Sequence, residues 1–168
     1  MYYIEYNITR STLAVIFIDL LSAGRPATQS SIGWDGVPGR AVDGNTDTDY
    51  GQKSCTHTQN EAENWWMVDL EKSSLIYGVK IYNREDCCKE RLDGATIHVG
   101  DDPKGMLTNA QCGGKITDAE INDSAEIFLE CIPPLKGQYV SVTLQNNYLT
   151  LCEVEVLGLE LNGAGSIA

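Results

Sequence analysis

Two adjacent cysteines, Cys87 and Cys88, constrain the backbone of this 168-residue chain more tightly than any other sequence feature. Neighbouring Cα atoms lie about 3.8 Å apart across a trans peptide, whereas a disulfide usually joins Cα atoms roughly 4.4 to 6.8 Å apart. A bridge between them is therefore expected to be strained, to force the intervening peptide out of its usual geometry and to form a rigid ring. The alternative is that each pairs elsewhere, because six cysteines leave many connectivities open. Zinc is disfavoured, since no CxxC or HxxxH spacing occurs.

The N-terminal segment has the features of a cleaved secretory leader. An apolar run, TLAVIFIDLL, follows Arg10 and precedes the small residues Ser22-Ala23-Gly24. The run is too short to span a bilayer, so no membrane insertion is expected. Asp19 and Glu5 are atypical of a signal peptide, and the alternative is a strand-like apolar segment.

The leader interpretation divides the chain into a signal peptide or leader (1–24), one domain (25–161) and a flexible tail (162–168). A secreted, extracellular protein meets an oxidising environment, so the cysteines are expected to form disulfides. The chain has 12 basic and 24 acidic residues, a net charge of -12, which repels phosphate backbones and disfavours nucleic-acid binding.

Short segments of alternating apolar and polar residues, separated by turns, predict an all-β domain. The alternation is visible at residues 79–81, 95–99, 140–144 and 152–156. Turn sequences such as Asp93-Gly94 lie between them, and no long window carries a helical apolar stripe. This spacing favours a β-sandwich or barrel.

An ordered set of motifs runs through the domain. They are ATQSS from Ala27, AVDGN from Ala41, SCTHT from Ser54, WWMVDL from Trp65, REDCCKER from Arg84 and LCEVEV from Leu151. Together they closely resemble the F-type lectin (fucolectin) family over nearly the whole chain after residue 25. The resemblance implies an eight-stranded, disulfide-stabilised, discoidin-like jelly-roll β-sandwich. It also implies three bridges: Cys55 with Cys152, Cys112 with Cys131, and Cys87 with Cys88.

The ligand that the resemblance implies is terminal α-L-fucose on a glycan. Its hydroxyls need convergent polar partners, which two guanidinium groups and an imidazole provide, and its methyl group needs an apolar wall. Asp86 is expected to hold one guanidinium through a charge-assisted pair, and the sulfur ring is expected to pack against the sugar. The predicted sugar-binding residues are His57, Arg84, Asp86, Cys87, Cys88, Arg91 and Tyr50, with Trp34 a further wall candidate. The alternative is a surface histidine with arginines in ordinary salt bridges.

A structural calcium ion is also implied by the resemblance. The segment from Asp43 to Asp49 is rich in oxygen donors but is not an EF-hand loop, because Thr48 and Ser54 stand where such a loop has Gly and Glu. The predicted ligands are oxygens of Arg40, Asp43, Asn45, Ser54, Cys152 and Glu153. The alternative is a solvated acidic turn.

The leading hypothesis is therefore a non-enzymatic, calcium-stabilised lectin that binds fucosylated glycans, with a role in innate immunity implied by the family. Single sugar sites bind weakly, so one domain per chain predicts a homo-oligomer. The alternative is a discoidin-like adhesion or lipid-binding module without fucose specificity. A glycoside hydrolase is disfavoured, because an arginine partner lowers the pKa of Asp86, the wrong direction for a general acid.

Overall fold

Within the part of the chain that the structure describes, the regular structure consists of eight β-strands and one short α-helix. The computed structural model describes residues 2–9 and 12–161, with side chains from Phe17 onward. The strands are β1 (Tyr2–Thr9), β2 (Thr12–Leu20), β3 (Ala27–Gln29), β4 (Glu63–Tyr82), β5 (Thr96–Gly100), β6 (Ala110–Cys112), β7 (Glu126–Gln145) and β8 (Glu153–Glu160). The helix is α1 (Asp118–Asp123), and 3-10 turns cover Pro38–Val42, Tyr50–Gln52 and Lys89–Leu92.

The two long strands, β4 and β7, build both layers of the sandwich. They pair antiparallel along their lengths, with register shifts between Asp69 and Ser74 and between Ile76 and Gly78 of β4. Before the first shift, β4 also pairs with β3, and after it β4 pairs with β8. Such irregularities bend a strand, so β4 and β7 pass from one sheet into the other.

We call the two layers the front and back sheets. The front sheet contains β3, residues 63–69 of β4, residues 139–145 of β7, β5 and β6. The back sheet contains the remaining parts of β7 and β4, followed by β8, β2 and β1. The expected all-β, discoidin-like sandwich is confirmed.

The core lies between the sheets and follows the period-2 alternation of the strands. In the front sheet Trp66 and Val142 are fully buried, and in the back sheet Val79 and Val156 are fully buried. Alternate residues of a strand point to opposite faces, so the apolar set of each sheet meets in the middle.

All three predicted disulfides are present. Cys55–Cys152 joins residues 97 positions apart, and Cys112–Cys131 joins β6 to β7. In the chain-entropy model a closed loop of the first size stabilises the fold by roughly 4 to 5 kcal/mol. The Cα atoms of Cys87 and Cys88 are 3.8 Å apart, the spacing of an ordinary trans peptide. The peptide is therefore not cis, and the chain turns at Cys88, whose φ is 62°, while distortion of the peptide itself stays a prediction.

The segment predicted as a leader contains strands in this structure. β1 and β2 pair with each other, and β2 pairs with β8. Leu21 is buried in the core, and the Ser22 hydroxyl donates to the Val154 carbonyl at 2.7 Å and accepts from the Val156 amide at 3.0 Å. Packed residues thus lie before residue 25, while cleavage of the leader stays a prediction. The predicted tail, 162–168, lies outside the described residues. Within them, no helix is long and apolar enough to cross a membrane.

Gly137 lies where β7 bends between the sheets, and it has no room for a side chain. A Cβ there would approach the backbone of Gly100 to within 2.5 Å, and backbone atoms cannot move aside cheaply. We expect Gly137→Ala to lower the free energy of unfolding by about 1 to 3 kcal/mol, as overpacked core substitutions do. Urea denaturation measures this change. Gly39→Ala is the control, because a Cβ there meets nothing within 4 Å, and an equal loss in both variants would contradict the packing argument.

Candidate functional site

The candidate site lies at one end of the sandwich, where three loops meet. The segment 55–58 runs beside the segment 149–152, because the Thr56 amide donates to the Leu151 carbonyl at 2.7 Å and the Thr58 amide donates to the Leu149 carbonyl at 3.0 Å. The Cys55–Cys152 bridge closes the same ladder. The third loop, residues 83–95, follows β4 and precedes β5.

His57 is held in one orientation and one tautomer by this ladder. Its ring nitrogen Nδ1 is 2.6 Å from the Thr58 carbonyl oxygen, and because a carbonyl only accepts, Nδ1 carries the proton. Nε2 is therefore an acceptor, and Arg91 Nη1 approaches it to 3.4 Å. Burial lowers the pKa of His57, as do the positive charges of Arg91 and Arg84. The imidazole is accordingly neutral at pH 7.

Arg84 is fixed by a two-point contact with Asp86. Its Nε and Nη2 donate to the two carboxylate oxygens at 2.8 and 2.6 Å, and the Tyr50 amide donates to Asp86 at 3.0 Å. The hydrogen bonds from Arg84 lower the pKa of Asp86 to about 2. Asp86 thus orients Arg84, as predicted, and the other guanidinium N–H groups stay available to a ligand.

Aromatic rings support both guanidinium groups. The Arg84 guanidinium lies 4.6 Å from the Tyr50 ring centroid, and the Arg91 guanidinium lies 4.7 Å from that of Tyr148. Cation–π contacts of this kind hold an arginine in place while its edge faces outward.

A depression of about 180 Å³ lies between these groups. We call it the pocket, and its lining residues are Trp34, Tyr50, His57, Arg84 and Arg91. Trp34 is 67% exposed, and its ring centroid lies 4.9 Å from that of His57. The Tyr50 hydroxyl donates to the Trp34 carbonyl. The pocket lining therefore combines aromatic rings with the nitrogen groups that they contact.

The structure brings together most of the predicted sugar-binding residues, and contact of the adjacent cysteines with a sugar stays a prediction. His57, Arg84, Arg91 and Tyr50 line the pocket, together with the wall candidate Trp34. Cys87 and Cys88 are bridged but are not among the lining residues, and Cys87 is exposed.

Tyr148 is a site residue that sequence reasoning missed. It stacks against Arg91, and its ring centroid lies 5.3 Å from that of His57. Its only signal is an aromatic residue three positions after the end of β7, in a loop whose path the sequence does not reveal.

The predicted calcium ligands come from segments that the structure also brings together. The Gly44 amide donates to Glu153 Oε1 at 3.3 Å, and the Cys55–Cys152 bridge places Ser54 beside Glu153. Glu153 is buried, and its second oxygen, Oε2, has no hydrogen-bond partner. Burial, together with the nearby charges of Asp43 and Glu155, raises the pKa of Glu153 to about 7.

These features fit a cation with oxygen ligands. The buried Glu153 oxygen has no hydrogen-bond partner, and the Asp43 carboxylate lies near it. A calcium ion would supply the positive charge that these two carboxylates lack. Among the residues that the structure describes, no three His, Cys, Asp or Glu side chains cluster as metal ligands. The predicted set has two carboxylates, and its other oxygens come from the backbone, an amide residue and a hydroxyl. Arg40 also contacts this region, because its side chain donates a hydrogen bond to the Cys55 carbonyl at 3.1 Å.

The antiparallel sandwich with its site between end loops defines a discoidin-like, galactose-binding-like domain. A family model described as a NedA-like, galactose-binding domain, of the F5/F8 type C class, matches residues 40–142. Fucolectin-5 of Anguilla japonica is 42% identical over 142 residues, covering 79% of this chain and 72% of that protein. The chain belongs to the F-type lectin (fucolectin) family.

Two solved structures support the same assignment. A fucolectin from the serum of Morone saxatilis (striped bass) is 33% identical with a TM-score of 0.79, and the match covers 89% of this chain. This chain spans about half of the bass lectin, since 52% of that chain is matched. The lectin domain of lectinolysin, solved with Lewis b antigen, is 35% identical with a TM-score of 0.70, covering 82% of this chain and 95% of that domain.

The Arg84–Asp86 pair gives a testable dependence of stability on pH. Because the pKa of Asp86 falls from an ordinary 3.8 to about 2 in the folded state, the pair stabilises the fold above about pH 4. That stability is lost as the pH falls through 2. We expect Asp86→Asn to lower the free energy of unfolding by about 0.2 to 1 kcal/mol at pH 6, the range of exposed ion pairs, and to have a much smaller effect near pH 2, where about half of Asp86 is protonated.

Urea denaturation of both proteins between pH 2 and pH 7 measures this difference. The control repeats the substitution in an Arg84→Ala background, where the pH-dependent part should vanish because the partner charge is gone. A difference that persists unchanged at pH 2, or that survives in the Arg84→Ala background, would show that Asp86 acts through other contacts.

Proposed function

We propose that this protein is a secreted, calcium-stabilised lectin that binds terminal α-L-fucose on glycans. The observation that carries the proposal is the convergence of His57, Arg84 and Arg91 on one shallow pocket with an aromatic wall. Each group is already held by contacts within the protein, so little side-chain entropy is lost when a ligand binds.

The chemistry of the pocket matches a neutral deoxysugar. Arg84 and Arg91 donate hydrogen bonds to hydroxyl oxygens, and the neutral His57 accepts one at Nε2. Trp34 and Tyr50 offer an apolar surface to a methyl group or a ring face. The family relatives support this ligand class, since one is solved with Lewis b antigen and others are named fucose binding modules.

The pocket favours binding over catalysis. Asp86 is the carboxylate that contacts the pocket residue Arg84, and both of its oxygens accept hydrogen bonds from the Arg84 guanidinium. Its lowered pKa keeps it ionised, so it cannot supply a proton to a glycosidic oxygen. We therefore propose that the protein is not an enzyme, in keeping with its lectin relatives.

Secretion and assembly complete the proposal. Three disulfides are stable in the oxidising environment outside the cell, in keeping with the predicted leader. One small site per chain binds weakly, so avidity for a glycan-bearing surface would come from a homo-oligomer that presents several pockets.

The test of the sugar site is the loss of fucose binding without the loss of the fold. We expect Arg84→Ala and Arg91→Ala each to weaken L-fucose binding by roughly 10- to 150-fold, since a hydrogen bond from a charged donor contributes about 1.5 to 3 kcal/mol. Isothermal titration calorimetry measures the affinity, and thermal denaturation checks the fold.

Arg25→Ala is the matched control, because Arg25 forms ion pairs with Glu71 and Glu160 instead of lining the pocket. It should leave the fucose affinity unchanged. Unchanged affinity in the two pocket variants, or binding of lipid vesicles with no response to fucose, would contradict the proposal in favour of a discoidin-like adhesion module.

Calcium is proposed to bind at oxygens of Arg40, Asp43, Asn45, Ser54, Cys152 and Glu153. An ion there would satisfy the buried Glu153 oxygen and would tie the loop after residue 42 to the start of β8. Its chemistry would be structural: a hard divalent cation neutralises the two carboxylates. Because this loop leads directly to Tyr50, the ion would also steady one wall of the pocket.

We expect calcium to raise the melting temperature of chelator-treated protein and magnesium to do so much less. At about 100 times its Kd, a bound ligand stabilises a fold by about 2.7 kcal/mol. Glu153→Gln should abolish the calcium response, whereas Asp47→Asn, in the same loop but outside the ligand set, should retain it. Differential scanning calorimetry with and without chelator measures the shift, and identical curves would exclude the site.

A further inference from the structure

A second and larger depression lies on the outer side of the front sheet. Its volume is about 430 Å³, more than twice that of the pocket, and within the range of small-ligand sites. We call it the groove, and its lining includes Asp93, Thr96, Leu107, Lys115, Thr143 and Gln145. The function proposed above makes no use of it.

Two loops lead directly from the pocket to the groove. Arg91 of the pocket precedes Asp93 of the groove by two residues, and Asn146, which also lines the groove, precedes Tyr148 by two. Two peptide steps separate Cα atoms by about 7.6 Å at most. The Arg91 guanidinium lies over the Tyr148 ring, so the loop that contains residues 91–93 lies beside the loop that contains residues 146–148. Both loops run from the pocket to the groove. The two depressions therefore lie at the same end of the sandwich, with these loops between them.

The floor of the groove is made of neutral polar groups beside an aromatic ring. The Thr96 and Thr143 hydroxyls are 2.8 Å apart and form a hydrogen bond across β5 and β7. Thr143 is paired in register with Trp65 of β4, which is half-buried and lines an adjoining recess with Leu107. Its neighbour Trp66, by contrast, is fully buried in the core.

The walls of the groove carry donors and acceptors for hydroxyl groups. Gln145 and Lys115 are both exposed, and Asp93 supplies a single opposite charge. Asp93 and Lys115 carry opposite charges, so the groove has no net charge that would favour an anionic or a cationic ligand. Hydroxyls and amides line the groove, and they are groups that sugars bind, whereas this mixed polar lining does not suit a lipid chain. The Trp65 indole in the adjoining recess offers an apolar surface beside them.

We propose that the groove is an extension subsite, which binds the neutral sugar residues that follow the terminal fucose of a glycan. This inference rests on the proposed function, because the terminal sugar must occupy the pocket for the next residues to reach the groove. Free L-fucose would contact the pocket alone, whereas a fucosylated oligosaccharide would contact both sites.

The experiment compares the affinity for free L-fucose with that for fucosylated oligosaccharides, Lewis b among them, by calorimetry. We expect the wild-type protein to bind at least one oligosaccharide more tightly than fucose. The double variant Lys115→Ala/Gln145→Ala should reduce this preference by about 10-fold and leave fucose affinity and melting temperature unchanged. Lys136→Ala, an exposed lysine of β7 that lines neither site, is the control and should change neither affinity.

The outcomes separate the two proposals. A wild-type protein that binds no fucose would overturn the proposed function and this inference with it. Fucose binding with no preference for any oligosaccharide, or with a preference that the double variant retains, would overturn the inference alone. Oligosaccharide binding that survives Arg91→Ala would also overturn it, because the groove would then act as an independent site.

Discussion

The short ladder between residues 55–58 and 149–152 is the constraint on which the rest of the site depends. Its backbone hydrogen bonds and the Cys55–Cys152 bridge join two loops that are distant in sequence. His57 lies within one strand of this ladder, Tyr148 directly precedes the other, and Glu153 directly follows it. The sugar pocket and the proposed calcium site are therefore built on opposite ends of one element. Loss of the ladder would separate the imidazole from the aromatic ring that supports Arg91.

The charge of the pocket differs from that of the protein around it. The chain carries a net charge of -12, yet two guanidinium groups face the pocket. Asp86 balances one of them, and the lowered pKa of His57 prevents a third positive charge. The net charge of the pocket is therefore close to +1, in a protein whose net charge is -12. The protein as a whole repels distant anions, and an anion in the pocket would gain little binding energy from a single positive charge. A neutral ligand with many hydroxyls is the class that such a site favours.

The sequence predicted the fold and disulfide pairing well, because both follow from patterns that are local or shared across the family. Alternation revealed the strands, and the motif order revealed the pairing of all six cysteines. It did not reveal that β4 and β7 bend between sheets, since register shifts depend on partner strands. The role of Tyr148 was missed for a similar reason: it depends on the path of a loop. The sequence also predicted that the cysteine pair packs against the sugar; the pair is bridged and lies in the loop between Arg84 and Arg91, and its contact with a sugar stays a prediction.

The pocket and the groove differ in how they are held, and this difference has a consequence for specificity. The pocket is fixed by a disulfide-closed ladder and by paired charges, so its residues have few alternatives. The groove has a rigid floor of strand residues, but one wall comes from the loop of residues 101–109. This loop is attached to β7 where the Ser141 hydroxyl donates to the Met106 carbonyl at 3.1 Å, and it is closed on itself where Asn109 Nδ2 donates to the Asp102 carbonyl at 3.0 Å. Substitutions in that loop can reshape the groove while the core stays intact. Recognition of the second sugar is thus free to change independently of recognition of the first.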